Sequence, residues 1–157
     1  MKFNQLDRIT TLIPGEFILA NRTLRAEEDY LRDHFPLFPV MPGVLMLEAL
    51  FQAACWLIRV TDDYECSLLT LQEAKNVKFA DFVEPGQTLE IKVEIIKNET
   101  DRVSLKGVGM KGDVTAVSAR LVVAKSTLSA TRPDQVDLDR FMAKNPKAFV
   151  EKLMAQI

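Results

Sequence analysis

The sequence predicts an α+β protein in which one long buried helix is followed by a meander of antiparallel strands, rather than a parallel βαβ alternation. Three observations carry this expectation. From Val44 to Ile58 there is no proline or glycine, and Leu, Met, Ala, Phe and Trp occupy every side of a helical wheel, as in a buried helix. Between residues 88 and 97, Leu89, Ile91, Val93 and Ile95 alternate with Glu90, Lys92 and Glu94, the period of a strand with one buried face. Turn dipeptides at Pro14-Gly15, Pro85-Gly86 and Gly112-Asp113 divide the remaining apolar runs into short segments.

In chain order, residues 8–13 and 16–25 read as two strands around Pro14-Gly15, with Phe17, Leu19 and Leu24 mixed among polar positions as on a half-exposed sheet. Ala26 to Tyr30 reads as a helical turn or loop, with Tyr30 placed to pack over a site. Pro36, Pro39 and Pro42 follow at a spacing of three, and each fixes its own φ and biases its predecessor toward extended geometry. Proline suits the first turn of a helix, so the long helix starts near Pro42, and Thr61-Asp62-Asp63 ends it. Leu68 to Phe79 reads as a long, irregular strand with Leu69, Leu71, Ala74, Val77 and Phe79 apolar. After residues 88–97, the runs 103–111 and 114–124 complete the meander. From Ser126 the character changes. Ser126, Thr127, Ser129, Thr131 and Pro133 suggest an exposed linker, and Asp137 to Ile157 one or two amphipathic helices, broken near Asn145-Pro146, with Phe141, Phe149 and Leu153 as their apolar face.

A length of 157 residues suits one domain with a substantial core. The apolar share of 48% and charged share of 27% are those of an ordinary globular protein. A net charge of −2 gives no basis for non-specific nucleic-acid binding. Cys55 in the helix and Cys66 before a strand suggest no disulfide framework, and a reducing cytosol is the simplest reading. The N-terminus lacks the apolar core of a signal peptide, and the densest apolar stretch is interrupted by Glu48 and Gln52, so no membrane partner is expected.

Those two interruptions are the chemistry. Glu48 and Gln52 stand four residues apart on one face of an apolar helix, with Val44 one turn before them and Cys55 continuing the face. A carboxylate there is costly unless paired, hydrogen-bonded or protonated. The only histidine, His34, lies across the proline arm, and His with Glu makes an acid–base pair for proton transfer. Taken singly, each could be structural. Gln52 either orients Glu48 or a water, or satisfies a backbone group. Gly43 either permits close packing or, with Val44, offers N–H groups at a helix N-terminus to an oxygen that gains charge. A buried Cys55 without a second histidine is a poor nucleophile. One histidine and two separated cysteines make no metal cluster, and no Gly-rich phosphate loop or Ser-His-Asp triad is present.

His34-Phe35-Pro36, then Pro42-Gly43-Val44-Leu45, then Glu48-Ala49 and Gln52 resemble the 3-hydroxyacyl-acyl-carrier-protein dehydratases of the FabZ/FabA type. The motifs match from about Arg8 to Lys125 and most strongly between His34 and Gln52. This resemblance implies a hotdog fold, an antiparallel sheet wrapped around one long central helix, over residues 1–125. It leaves 126–157 as a linker and C-terminal helical extension that packs on the dimer, covers an acyl tunnel, or is a solvated appendage. The implied reaction is dehydration of (3R)-3-hydroxyacyl thioesters to trans-2-enoyl thioesters in fatty-acid or related lipid or polyketide synthesis. His34 would take the C2 proton, Glu48 would protonate the departing hydroxyl, Gly43 N–H would hold the thioester oxygen, and Gln52 would support Glu48.

The resemblance further implies a cytoplasmic homodimer, with trimers of dimers left open, in which His34 of one subunit faces Glu48 of the other. An apolar tunnel would be lined by Leu37, Phe38, Met41, Leu45, Phe51 and Phe82. The partner would be an acyl carrier protein whose phosphopantetheine holds the substrate. Arg32, Arg59, Lys75 and Lys78 would either rim its docking site or be solvated. No metal or redox cofactor is expected, since water leaves and no electrons move. The chain departs from the family where Leu37 and Phe38 replace a glycine and a polar residue, which bears on substrate length and activity. The alternatives are enoyl hydration, thioester hydrolysis, or a non-catalytic acyl- or carrier-binding module.

Overall fold

The computed structural model describes residues 3–34, 36–127 and 147–155. Six strands form one antiparallel sheet: β1 (Arg8–Ile13), β2 (Phe17–Thr23), β3 (Leu68–Phe79), β4 (Thr88–Asn98), β5 (Arg102–Lys111) and β6 (Val114–Ser126), in the spatial order β1-β2-β4-β5-β6-β3. Helix α1 (Gly43–Thr61) packs against β2, β3, β4, β5 and β6, so the sheet curls around it in the hotdog arrangement. This is the predicted α+β class. Helix α1 is long and apolar enough to cross a membrane, but Met46, Ala49, Leu50, Ala53, Ala54, Cys55, Leu57 and Ile58 are buried inside the protein.

The strands follow from local chemistry. In β4, Leu89, Ile91 and Val93 are buried while Glu90, Lys92 and Glu94 face water, as the alternation requires. Gly15 and Gly86 take φ of 78° and 89° behind Pro14 and Pro85, the geometry of type II turns, closed by Glu16 N–H to Ile13 O and Gln87 N–H to Glu84 O. Gly112-Asp113 makes a two-residue hairpin between Lys111 and Val114. The helix comes close to the sheet at Gly107, where a Cβ would stand 3.2 Å from Leu50 Cδ1.

Both ends of α1 have a physical stop. Pro42 is the N-cap rather than the first helical residue, and its carbonyl accepts from Leu45 and Met46. At the other end, Asp63 N–H reaches Val60 O and Tyr64 N–H reaches Arg59 O, a Schellman closure with Asp63 left-handed at φ 50° where glycine is usual. Lys125 binds Asp62 Oδ2 at 3.0 Å and Asn98 Oδ1 at 2.8 Å, placing a cation at the helix C-terminus.

One expectation needs correcting. Helix α1 is not buried all round in the single chain, because Val44 is 69% exposed and Leu45, Glu48, Phe51 and Gln52 are half-buried. Strand β3 has the expected bounds and irregularity; it buries Leu69 and packs Val77 partly against the core, while Leu71, Ala74 and Phe79 are exposed. It is a sheet edge with two register shifts, the second around Asn76 at φ 52°. Ala26–Tyr30 leads into a 3-10 turn, Asp29–Arg32.

The C-terminal residues 147–155 form a helix, α2, with Val150 and Leu153 in the core and Phe149 stacked at 5.4 Å on Trp56 of α1. Phe149 and Leu153 therefore supply an apolar face as expected. The linker residues Ser129, Thr131 and Pro133, the break at Asn145-Pro146, and Phe141 lie outside the described residues. Replacing the fully buried Leu50 by alanine should cost about 2–5 kcal/mol of stability, measured as a lower urea midpoint with an unchanged slope.

Candidate active site

His34 lies ahead of the proline arm, Gly43 opens α1, and Glu48 and Gln52 follow within the helix. His34 is half-buried, and its Nδ1 lies 3.1 Å from Val40 O. A carbonyl only accepts, so Nδ1 bears a proton and donates it, which leaves Nε2 as the ring nitrogen that could exchange a proton with a substrate. The arm that sets this geometry is itself pinned, since Met41 N–H donates to Val83 O at 2.8 Å.

On α1, Glu48 and Gln52 meet as their spacing predicts. Gln52 Nε2 donates to Glu48 Oε1 at 3.0 Å and to Phe3 O at 2.7 Å, and Gln52 Oε1 accepts from Gln5 N–H at 2.7 Å. Both readings of Gln52 hold at once: it touches Glu48 and it satisfies backbone groups. Gly43 and Val44 precede the first intrahelical bonds, so their N–H groups point off the helix end beside this face. The packing reading of Gly43 is also met, for a Cβ there would stand 3.0–3.2 Å from the ring of Phe79.

The expected tunnel residues divide. Leu37 is fully exposed, and Phe38 and Phe82 are about half-exposed and meet edge to face with ring centroids 5.4 Å apart. Leu45 and Phe51 are partly buried, while Met41 sits in the core. Tyr30 also packs on the core. Its phenol pKa is raised, first by burial and then by the negative charge of Glu28. Among the described residues, no group of three or more His, Cys, Asp or Glu side chains is arranged to hold a metal ion.

Reading the sequence alone missed Phe3 and Gln5, which meet Gln52 through their main chain, and the buried Arg22 that backs the Gln5 side chain. The signal for Arg22 was available, since it follows Ile18 and Ala20 at the strand period and so faces inward. It is 3% exposed and pairs with Glu28 and Asp7. Nothing in the composition of residues 3–5 marks them.

A family model described as a FabA-like domain matches residues 1–124. The chain belongs to the FabA-like family. Curated FabA-like relatives include the 3-hydroxyacyl-[acyl-carrier-protein] dehydratase FabZ of Levilactobacillus brevis, 36% identical over 116 residues, covering 74% of this chain and 78% of the relative. The enzyme of the same name from Shewanella sediminis is 34% identical over 136 residues, covering 83% of each. Solved structures share the fold at lower identity. A chain of the ApeI:P dehydratase heterocomplex from Xenorhabdus doucetiae superposes with a TM-score of 0.65 at 15% identity, covering 81% of this chain and 86% of that one. An uncharacterized protein from Pyrococcus horikoshii gives a TM-score of 0.60 at 12% identity, covering 79% and 85%.

Cys55 is no rival nucleophile in this FabA-like chain. Burial pushes its thiol from the usual 9.0 up to about 12. The folded protein keeps that proton between pH 9 and 12 while the unfolded chain loses it, so Cys55 erodes stability as pH rises through this window. Iodoacetamide at pH 8.5 should alkylate the half-buried Cys66 and spare Cys55 until denaturant is added, as read by mass spectrometry of the digested protein.

Proposed function

We propose that this protein dehydrates 3-hydroxyacyl groups carried by an acyl carrier protein, yielding trans-2-enoyl thioesters in fatty-acid synthesis. The observation that supports the reading is the FabA-like match over residues 1–124, a span that includes His34 and the α1 residues Gly43, Glu48 and Gln52. His34 Nε2 is the base that removes the C2 proton. Glu48 delivers a proton to the C3 hydroxyl, which departs as water. The N–H of Gly43 donates to the thioester oxygen as negative charge builds on it, a contribution of about 3–4 kcal/mol for a fixed donor. Gln52 holds Glu48 through the 3.0 Å bond. The chemistry needs neither a metal nor a redox cofactor, because a C–H and a C–O bond break and a C=C bond forms without net electron transfer.

A homodimer with composite sites belongs to this reading. In a single chain Val44, Leu37, Phe38, Phe79 and Phe82 are large exposed apolar side chains around the end of α1, and β3 is an open sheet edge. A second copy paired along β3 would cover them and bring His34 of one subunit to Glu48 of the other. Leu37, Phe38, Leu45, Phe51 and Phe82 would then line the acyl tunnel, with Met41 supporting it from the core. A cytoplasmic location accords with the two free cysteines.

The test is conversion of 3-hydroxyacyl-carrier-protein substrates of several chain lengths. His34→Ala and Glu48→Ala should each lower kcat/KM by about 10²–10⁴-fold while the circular dichroism spectrum stays unchanged. Binding of the acylated carrier by folded wild type without turnover at any length would replace this reading with a non-catalytic module. Composite sites make a separate prediction. Two inactive variants, His34→Ala and Glu48→Ala, unfolded and refolded together in equal amounts, should regain about a quarter of wild-type activity, because half of the dimers are mixed and each mixed dimer holds one intact site. No recovery would place both residues of a site on one subunit.

A further inference from the structure

We infer that Gln5, anchored by the buried Arg22, is a positioning residue that sets which atom of Gln52 faces Glu48. The inference rests on the reading of Glu48 as the acid of the dehydration. An amide side chain can point either its oxygen or its nitrogen at a carboxyl group. Here the choice is made elsewhere. The N–H of Gln5 meets one end of the Gln52 amide at 2.7 Å, so that end is Oε1. Phe3 O meets the other end at 2.7 Å, so that end is Nε2 and donates. The remaining N–H then donates to Glu48 Oε1 at 3.0 Å. A carboxyl oxygen that accepts this bond is disfavoured as the proton carrier, so the acidic proton resides on Oε2. Were the amide reversed, its oxygen would accept the acidic proton and compete with the substrate hydroxyl for it.

The segment that fixes the amide is braced in turn. Asn4 bonds both the N–H and the carbonyl of Leu6, at 3.2 Å and 2.8 Å. The side chain of Gln5 is 1% exposed, and its Oε1 accepts from Arg22 Nε at 3.4 Å. Arg22 is held by Glu28, by Asp7 and by Thr23 O at 3.0 Å. A buried arginine is costly unless its donors are met. This one directs a donor to Gln5, which lies one hydrogen bond from the amide that touches Glu48.

Turnover of a 3-hydroxyacyl-carrier-protein substrate by the full chain tests the relay. Gln5→Leu keeps the backbone N–H but loses the side-chain anchor, and kcat should fall about 10-fold with KM within about twofold. Gln5→Glu, which preserves an acceptor for Arg22, should restore kcat to within about threefold of wild type. In a Gln52→Ala background, Gln5→Leu should change kcat by less than about twofold, because the amide through which it acts is gone. Thermal melts establish folding, and Gln5→Met takes the place of Gln5→Leu should the latter fail to fold. Wild-type kcat in Gln5→Leu, alongside a Glu48→Gln variant without turnover, overturns the relay alone. The same 10-fold loss in both backgrounds also overturns it and leaves Gln5 as mere packing. Full turnover in Glu48→Gln overturns the assignment of Glu48, and the relay with it.

Discussion

The depth to which helix α1 sinks into the sheet governs the rest of the structure. At Gly107 there is no side chain to hold the helix off, and Leu50 occupies the space a Cβ would need. Two residues along the same strand, Gly109 is crowded by the sheet itself, and a Cβ there would stand 2.7 Å from Val117 of β6 and 2.9 Å from Leu89 of β4. With the helix this close, eight of its side chains are buried and the strip Val44, Glu48, Gln52 is left at the rim. The rim is where a carboxylate is tolerated: half in water, and bonded to an amide on the same helix. The same depth places the N-terminus of α1 beside Phe79 at the end of β3, so the open helix end and the open sheet edge are neighbours.

Much of this was legible in the residues because the signals were local. The alternation of Leu89, Ile91 and Val93 with charges, the three turn dipeptides and the glycine-free apolar run each name an element without reference to distant contacts. Glu48 and Gln52 were legible as a pair for the same reason, since four residues on a helix is a contact. The end of α1 was legible too, in the polar run Thr61-Asp62-Asp63, although Asp63 takes the left-handed conformation where glycine is usual. What escaped was non-local: the partners of Gln52 at Phe3 and Gln5 are nearly fifty positions away in the chain. The exposed strip on α1 escaped because an apolar helix reads as buried whether its cover is its own sheet or another molecule.

Gln52 joins folding to chemistry in one side chain. Its amide closes the N-terminal segment against α1 and at the same time steadies the Glu48 carboxyl group proposed as the acid. A group with both duties has little freedom to vary, for any change that improves one bond disturbs the others. The histidine is arranged more simply. Its ring nitrogen Nδ1 meets Val40 O, on a proline arm stiffened by fixed φ angles.

Helix α2 has a consequence of another kind. Phe149, Lys152 and Leu153 share a cleft of about 320 Å³ with Asn4, Leu6 and Asp7, so the first and last described segments of the chain are neighbours in space. Loosening α2 would therefore loosen the N-terminal segment with it, and the two would exchange their amide protons as one cooperative unit, separate from the sheet.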